Sequence, residues 1–580
     1  MKKGTVNKLL ITLIPLSMIL LALGIVGLNG KKSVEYADDG RYYGNIRFSV
    51  PPGSYDMPFY LSIYAPEDEI YYTLDGTDPD RSSIRYTEPI YIYDATDDPN
   101  RLSMRTDVSA FYDESTRELY RDTHWAVGED APVYVAPGYN IDKCTVIKAV
   151  YYDKDGNEKG TAAGSYFVGD SHDDGEDTVK RISVIADPAE LFDYERGIYV
   201  TGKLRDDFFS AITDENREEM LDSHWPANYT EKGREWERRA YIQIFDDGKL
   251  TLSQQAGIRI KGEGSREYYP KSLNLYARRE YDGNSVIHTE ENIRDCYDVL
   301  TLYAGGEDIF LKMKDPLMAE LCSDMGFATL DFELCEVYIN GEYWGCYFLS
   351  DKYNEKYVEK KYGVDDDNVM IIKNNDPSES MPEDFEQYME DMQFIGTADM
   401  TSEENYRKAC ELLDMDGFID YMAAEVYIAR WSDWPTGNIA LWRSRKKEQG
   451  EYGDCRWRFM LFDVNWGGLT YDLGDATRDT IVSTREPSPV FDNLFNNPEF
   501  KEAFVNRLMS MRDNEFAPDK VAERIDEYAA VMRDPMKKHY MRFFGTDDAR
   551  FYEEAEKLKL FFRERYDYIP VMIENNFGEQ

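Results

Sequence analysis

The stretch Gly169-Asp170-Ser171-His172-Asp173-Asp174-Gly175-Glu176-Asp177 has no apolar side chain to bury, so it reads as a linker dividing the chain into separately folding units. Length points the same way, because 580 residues exceed what a single hydrophobic core usually serves. Hydrophobic residues make up 42% and aromatics 14%, with 45 tyrosines, which is enough apolar material for a packed core on either side of the linker. A formal charge of -45 repels phosphate backbones and excludes a general nucleic-acid-binding role. The seven cysteines are scattered singly, with no CxxC pair and no His at ligand spacing. Most are expected to be buried thiols, and neither a zinc site nor a disulfide framework can be read from their spacing.

At the N-terminus Lys2, Lys3 and Lys8 precede an uncharged apolar run from Leu9 to Leu28, followed by Asn29-Gly30-Lys31-Lys32. That run is long enough to span a bilayer, and the positive flank places the N-terminus in the cytoplasm. The expectation is a signal anchor over residues 1–32, giving a single-pass membrane protein with its bulk exported. The competing reading is a signal peptide cleaved to release a secreted protein.

Residues 33–41 read as a polar tether, and from 42 to 168 short runs of Tyr, Val and Ile alternate with turn residues. Pro51-Pro52-Gly53-Ser54-Tyr55, Ile70-Tyr71-Tyr72-Thr73-Leu74-Asp75-Gly76-Thr77-Asp78-Pro79 and Tyr86-Thr87-Glu88-Pro89-Ile90 give strands punctuated by Asp-Gly and Pro turns. The pattern resembles the small β-sandwich found at the C-terminus of chitobiases, with Thr145–Tyr151 as a late strand and an insertion over residues 94–136. That resemblance implies an accessory module able to contact cell-wall polysaccharide. After the linker at 169–180, strands dominate to about Leu275, mixed strand and helix follow, and the chain beyond Phe491 has helical periodicity, as in Val521-Ala522-x-x-Ile525-x-x-Tyr528-Ala529.

Phosphoryl transfer requires a cation over the nucleotide phosphates, oxygen ligands for a divalent metal, and a base near the acceptor hydroxyl. In Trp431-Ser432-Asp433-Trp434-Pro435-Thr436-Gly437-Asn438 an Asp precedes an Asn by five residues, the spacing of the protein-kinase catalytic loop. In Phe459-Met460-Leu461-Phe462-Asp463-Val464-Asn465-Trp466-Gly467-Gly468 an apolar strand ends in an Asp that can ligate metal. Either segment alone also fits an ordinary turn or strand cap.

Several further runs occur in a characteristic order. They are Asp187-Pro188-x-x-Leu191-Phe192, Gly257-Ile258-Arg259-Ile260-Lys261-Gly262-Glu263-Gly264-Ser265 continuing through Tyr268-Tyr269-Pro270-Lys271-Ser272, Lys314-Asp315-Pro316-Leu317-Met318-Ala319-Glu320-Leu321, and Glu336–Leu349 with its Asn340-Gly341 turn. With these, residues 181–580 resemble the spore coat protein H (CotH) kinase family, atypical kinases with a reduced protein-kinase fold. The resemblance implies Asp433 as the catalytic Asp, with Asn438 and Asp463 as metal ligands. Lys271 would contact the nucleotide phosphates, with Lys261 and Arg259 as competitors and Glu320 as the carboxylate that orients the lysine. His-Arg-Asp and Asp-Phe-Gly are absent, replaced by Trp431-Ser432-Asp433 and Asp463-Val464-Asn465, and Gly437 stands where many members of the family have His.

The fold class expected is therefore multidomain: an N-terminal transmembrane helix, an all-β sandwich, then an α+β atypical protein-kinase-like fold with a helical C-lobe. The implied activity is transfer of the ATP γ-phosphate, with Mg2+ or Mn2+, to Ser or Thr of envelope or spore-coat proteins. Two rival readings stand beside it. One is an inactive structural or cell-surface binding protein, and the other is carbohydrate hydrolysis, suggested by the chitobiase-like module and the abundant carboxylates.

Overall fold

The computed structural model describes residues 46–66, 69–111, 113–123, 133–169, 179–223, 225–288, 296–430, 434–468 and 475–578. Among them no helix is long and apolar enough to cross a membrane. This corrects the expected single-pass placement: the run from Leu9 to Leu28 lies outside the described residues, and no described segment supplies a spanning helix. Residues 170–178 of the expected linker also lie outside them.

The first unit is all-β. Strand Glu158–Val168 pairs in parallel with Gly53–Tyr55 and antiparallel with Thr145–Tyr152, which continues to Glu69–Thr73 and Ile84–Arg85. Two short antiparallel pairs, Arg47–Phe48 with Ile63–Tyr64 and Phe59–Leu61 with Ile90–Ile92, cover one face of that sheet. Alternating side chains from both layers, among them Phe48, Leu61, Ile63, Ile92, Ile147 and Tyr166, meet in one buried cluster. The expected insertion contains no strand among its described residues. It forms 3-10 turns at Ala95–Asp97 and Leu102–Met104 and a helix at Glu114–Thr123.

The second unit begins with a sheet that closes on itself. Strand Arg238–Asp246 pairs with Lys180–Ala186, which lies parallel to Phe332–Ile339. The order continues through Glu342–Ser350, Val299–Tyr303, Leu273–Tyr276 and Lys249–Ile260, and this last strand pairs back onto Arg238–Asp246. Closure removes the sheet edges. The interior is filled by Ile182, Val184, Ile242, Ile258, Leu275, Leu300 and Val337. The hairpin between Phe332–Ile339 and Glu342–Ser350 turns at Asn340 and Gly341, whose φ values are +47° and +88°, as the Asn-Gly pair predicts.

Below the closed sheet, helix Lys314–Leu321 and a helical lobe share a second core. The lobe includes Pro382–Thr397, Met415–Tyr427, Pro498–Asp513, Pro518–Phe543 and Ala549–Phe577. A three-stranded antiparallel sheet, Val369–Lys373, Ala440–Ser444 and Arg458–Met460, packs against helices Pro382–Thr397 and Met415–Tyr427. The helix predicted from the Val521 to Ala529 periodicity falls in the first half of Pro518–Phe543, where Val521 and Ile525 are buried. Cys144, Cys322, Cys335 and Cys346 are buried thiols.

Candidate active site

A cavity of about 800 Å³ opens between the two lobes. Its upper wall starts where strand Lys249–Ile260 ends at Lys261, turns through Gly262, Glu263, Gly264 and Ser265, and returns as Leu273–Tyr276. Gly262 has φ +110°, and a Cβ there would lie 2.2 Å from Ser265 Oγ, so the turn demands glycine. The loop is pinned from inside. Arg266 donates to the carbonyls of Gly262, Tyr229 and Glu231. The Lys271 ammonium donates to the carbonyls of Arg266 and Tyr268 and lies 3.6 Å from the Tyr229 ring centroid.

Lys261 faces the cavity, its ammonium 4.9 Å from the Tyr303 ring centroid. The Tyr303 hydroxyl donates to Asp315, at the start of helix Lys314–Leu321, and Asp315 also accepts the Val464 N–H at 2.7 Å. Burial pushes the Asp315 carboxyl up, while the Tyr303 hydrogen bond and the Lys261 charge oppose that rise. Asp315 therefore links the Lys261 wall to the segment carrying Asp463.

The lower wall carries Asn438 and Asp463, both in the left-handed region, with φ +48° and +56°. Non-glycine residues rarely adopt that conformation, and backbone strain of this kind concentrates at functional sites. Asp463 Oδ1 accepts from Asn465 Nδ2 at 3.0 Å, and the same amide reaches the Tyr303 hydroxyl at 3.3 Å. Glu307 enters the cavity from the turn after strand Val299–Tyr303. That turn passes through Gly305 and Gly306, both at positive φ, and a Cβ on Gly306 would lie 2.6 Å from Asn465 Nδ2. Burial pushes the Glu307 carboxyl up to about 8, and the charges of Asp463 and Asp315 add to the rise. Carboxylates crowded against their mutual repulsion form a hard-oxygen donor set of the kind a divalent cation takes. Asp463, Asn438 and Glu307 are the residues that could hold the ion.

The loop before Asn438 is tied to the Asp463 segment by a fully buried ion pair. Glu425, in the last turn of helix Met415–Tyr427, accepts from Arg430 at 3.1 Å, and both side chains are 0% exposed. The same Arg430 nitrogen donates to the carbonyl of Phe462, next to Asp463, at 2.8 Å. Trp434 Nε1 donates to Tyr421 on the same helix at 2.9 Å. Asp433 itself, with Trp431 and Ser432, lies outside the described residues.

Of the residues singled out in the sequence, Lys261, Asn438 and Asp463 line one cavity. Lys271, expected to contact phosphate, does not line it: its ammonium is fully buried beneath the loop and donates to two backbone carbonyls, and burial drives its pKa well down. Arg259 also points elsewhere, packing 3.9 Å from the Tyr276 ring centroid and pairing with Glu237 at 3.5 Å. Glu320 lies outside the cavity, ion-paired to Arg524 and bonded to the Tyr528 hydroxyl at 2.9 Å. Asp315, not Glu320, is the carboxylate that feels the Lys261 charge. Sequence reasoning missed Asp315 and Glu307, although Asp315 stands in one of the recognised runs and Glu307 follows a Gly-Gly pair at a strand end.

Two family models match the chain. One, described as Fn3 associated, matches residues 60–166, the β-sandwich compared above with the chitobiase module. The other, described as CotH kinase protein, matches residues 258–569 and spans both walls of the cavity, though it begins later than the Asp187 run. No curated protein matches the chain. With more than half of its length matched by that model, the chain belongs to the CotH kinase protein family.

Proposed function

We propose that the chain is an ATP-dependent protein kinase, using Mg2+ or Mn2+, that phosphorylates Ser or Thr of envelope or spore-coat proteins. The observation that carries this reading is one cavity bounded by Lys261 and the Gly262–Ser265 turn on one wall and by Asn438 and Asp463 on the other. A divalent ion bound there would neutralise charge on the transferring phosphoryl group. Asp463 and Asn438 would hold it, with Glu307 beside them. Lys261, kept close to Asp315, supplies the cation for the phosphates. Asp433, five residues before Asn438, would accept the proton of the acceptor hydroxyl.

The test is transfer of labelled phosphate from ATP by the full chain, with either metal, beside Asp433→Ala and Asp463→Ala. Labelling of the chain or of a serine-rich acceptor, lost in both variants, is the expected result. A protein that binds no nucleotide and labels nothing with either metal would end the kinase reading and leave the scaffold alternative. For the N-terminal module we propose contact with cell-wall polysaccharide. Tyr60 and Tyr91, 66% and 51% exposed with ring centroids 5.2 Å apart, offer aromatic faces to sugar rings. Retention on insoluble polysaccharide, weakened by Tyr91→Ala, tests it.

A further inference from the structure

The insertion over residues 94–136 belongs by sequence to the N-terminal module, yet four of its apolar side chains are buried in the cores of the kinase unit. Ala110 and Phe111 are part of the helical-lobe cluster, and Val108 and Tyr134 are part of the closed-sheet cluster. Three backbone N–H groups, of Arg101, Leu102 and Ser103, donate to the carboxylate of Glu342 in the barrel hairpin, at 2.6, 3.1 and 2.8 Å. The Tyr134 hydroxyl donates to the carbonyl of Ser103 at 2.8 Å and accepts from Arg542 at 2.7 Å. The Tyr134 N–H donates to the carbonyl of Phe111 at 2.8 Å, which locks the two aromatic residues into one unit.

That unit rests on two residues. Phe111 meets the Tyr268 ring with centroids 6.2 Å apart, and Tyr134 meets Tyr269 edge-on at 5.1 Å. Tyr268 and Tyr269 join the Gly262–Glu267 turn to Lys271. The Tyr268 carbonyl is one of the two groups that hold the Lys271 ammonium under the turn. The glycines at 262 and 264 give this wall of the cavity conformational freedom, so ordering it would cost binding energy unless the order were built in beforehand.

We propose that Phe111 and Tyr134 are positioning residues for the Gly262–Ser265 turn, and that the N-terminal module thereby sets the affinity of the kinase site for nucleotide. The insertion is a strap that reaches from the module around the closed sheet and clamps the segment behind the turn. The proposal rests on the reading of that turn as the nucleotide wall, and two independent readouts keep the two apart.

Hydrogen exchange of amides 262–269 in the full chain, compared with Phe111→Ala, reads the strap without any nucleotide. Exchange there should quicken about tenfold while the helical lobe is unchanged. Kinetics with ATP reads the consequence. KM should rise about tenfold with kcat within about twofold, since the loss is in ordering the turn. Phe111→Leu, which refills most of the space, should restore much of both. Should Phe111→Ala fail to fold, Tyr134→Phe replaces it in the comparison. That variant keeps the ring and removes the hydroxyl that holds Ser103 and Arg542. Unchanged exchange at 262–269 in variants that lose thermal stability would overturn the strap and leave these residues as core packing only. A wild-type chain that binds no nucleotide would refute the kinase reading, and the exchange measurement would still decide the strap.

Discussion

Arg430→Met removes one half of a buried ion pair and tests the reasoning about the lower wall. With Arg430 in place, burial has raised Glu425 from the usual 4.5 to about 7, against the lowering charge of Arg430 and the Tyr421 hydrogen bond. A carboxyl raised on folding contributes its full stability below pH 4.5 and loses it as pH rises through about 7. Without Arg430 the main opposing charge is gone and the folded pKa climbs further. At pH 8 the folded variant must therefore hold either a proton or an uncompensated charge. Breaking a buried pair by removing one partner costs about 3–5 kcal/mol. For a unit of this size about 2 °C is lost per kcal/mol, so the thermal midpoint of the kinase unit at pH 8 should drop by about 6–10 °C.

At pH 5.5 Glu425 is protonated in the folded state of both proteins. The part of the deficit due to its charge, at most about 1.4 kcal/mol for the one unit between its pKa of about 7 and pH 8, should then vanish. What remains is the lost packing and the lost hydrogen bond to Phe462. Scanning calorimetry of both proteins at the two pH values measures the difference. Equal midpoints at pH 8, or the same deficit at both pH values, would refute the account of Glu425 as a buried carboxyl dependent on Arg430.

Asp463→Asn should weaken Mn2+ binding, followed by calorimetry, and lower phosphate transfer by about 10²–10³-fold, as removal of a charge-stabilising group does elsewhere. Lys261→Met should raise KM for ATP by about 10–100-fold with little change in stability, because the side chain faces the cavity. Lys271→Met should do the opposite in kind, lowering the thermal midpoint by leaving the Arg266 and Tyr268 carbonyls unsatisfied at about 1–3 kcal/mol each. Gly306→Ala should cost about 1–3 kcal/mol in urea unfolding, from its φ of +59° and the displaced Asn465, and should weaken metal binding as Asn465 shifts away from Asp463.

The sequence by itself determined the local elements. Asn340-Gly341 specified its hairpin, the Lys314 to Leu321 run its helix, and the Val521 to Ala529 period part of a long helix, because each is set by neighbours a few residues apart. Asn438 and the strand-ending Asp463, which both line the cavity, could be picked out for the same reason. Which lysine faces the cavity was not. Lys261 and Lys271 flank the same glycine turn, and only the pairing of Lys249–Ile260 with Leu273–Tyr276 decides that one points outward while the other is sealed beneath Tyr229. Glu307 and Asp315 meet Asp463 across more than a hundred residues of chain, and nothing in local pattern reports such an approach. The same holds for the insertion. Its sequence lacks strand or helix pattern over much of its length, because its conformation is dictated by Glu342, Arg542 and Tyr268, surfaces that exist only once the closed sheet has formed.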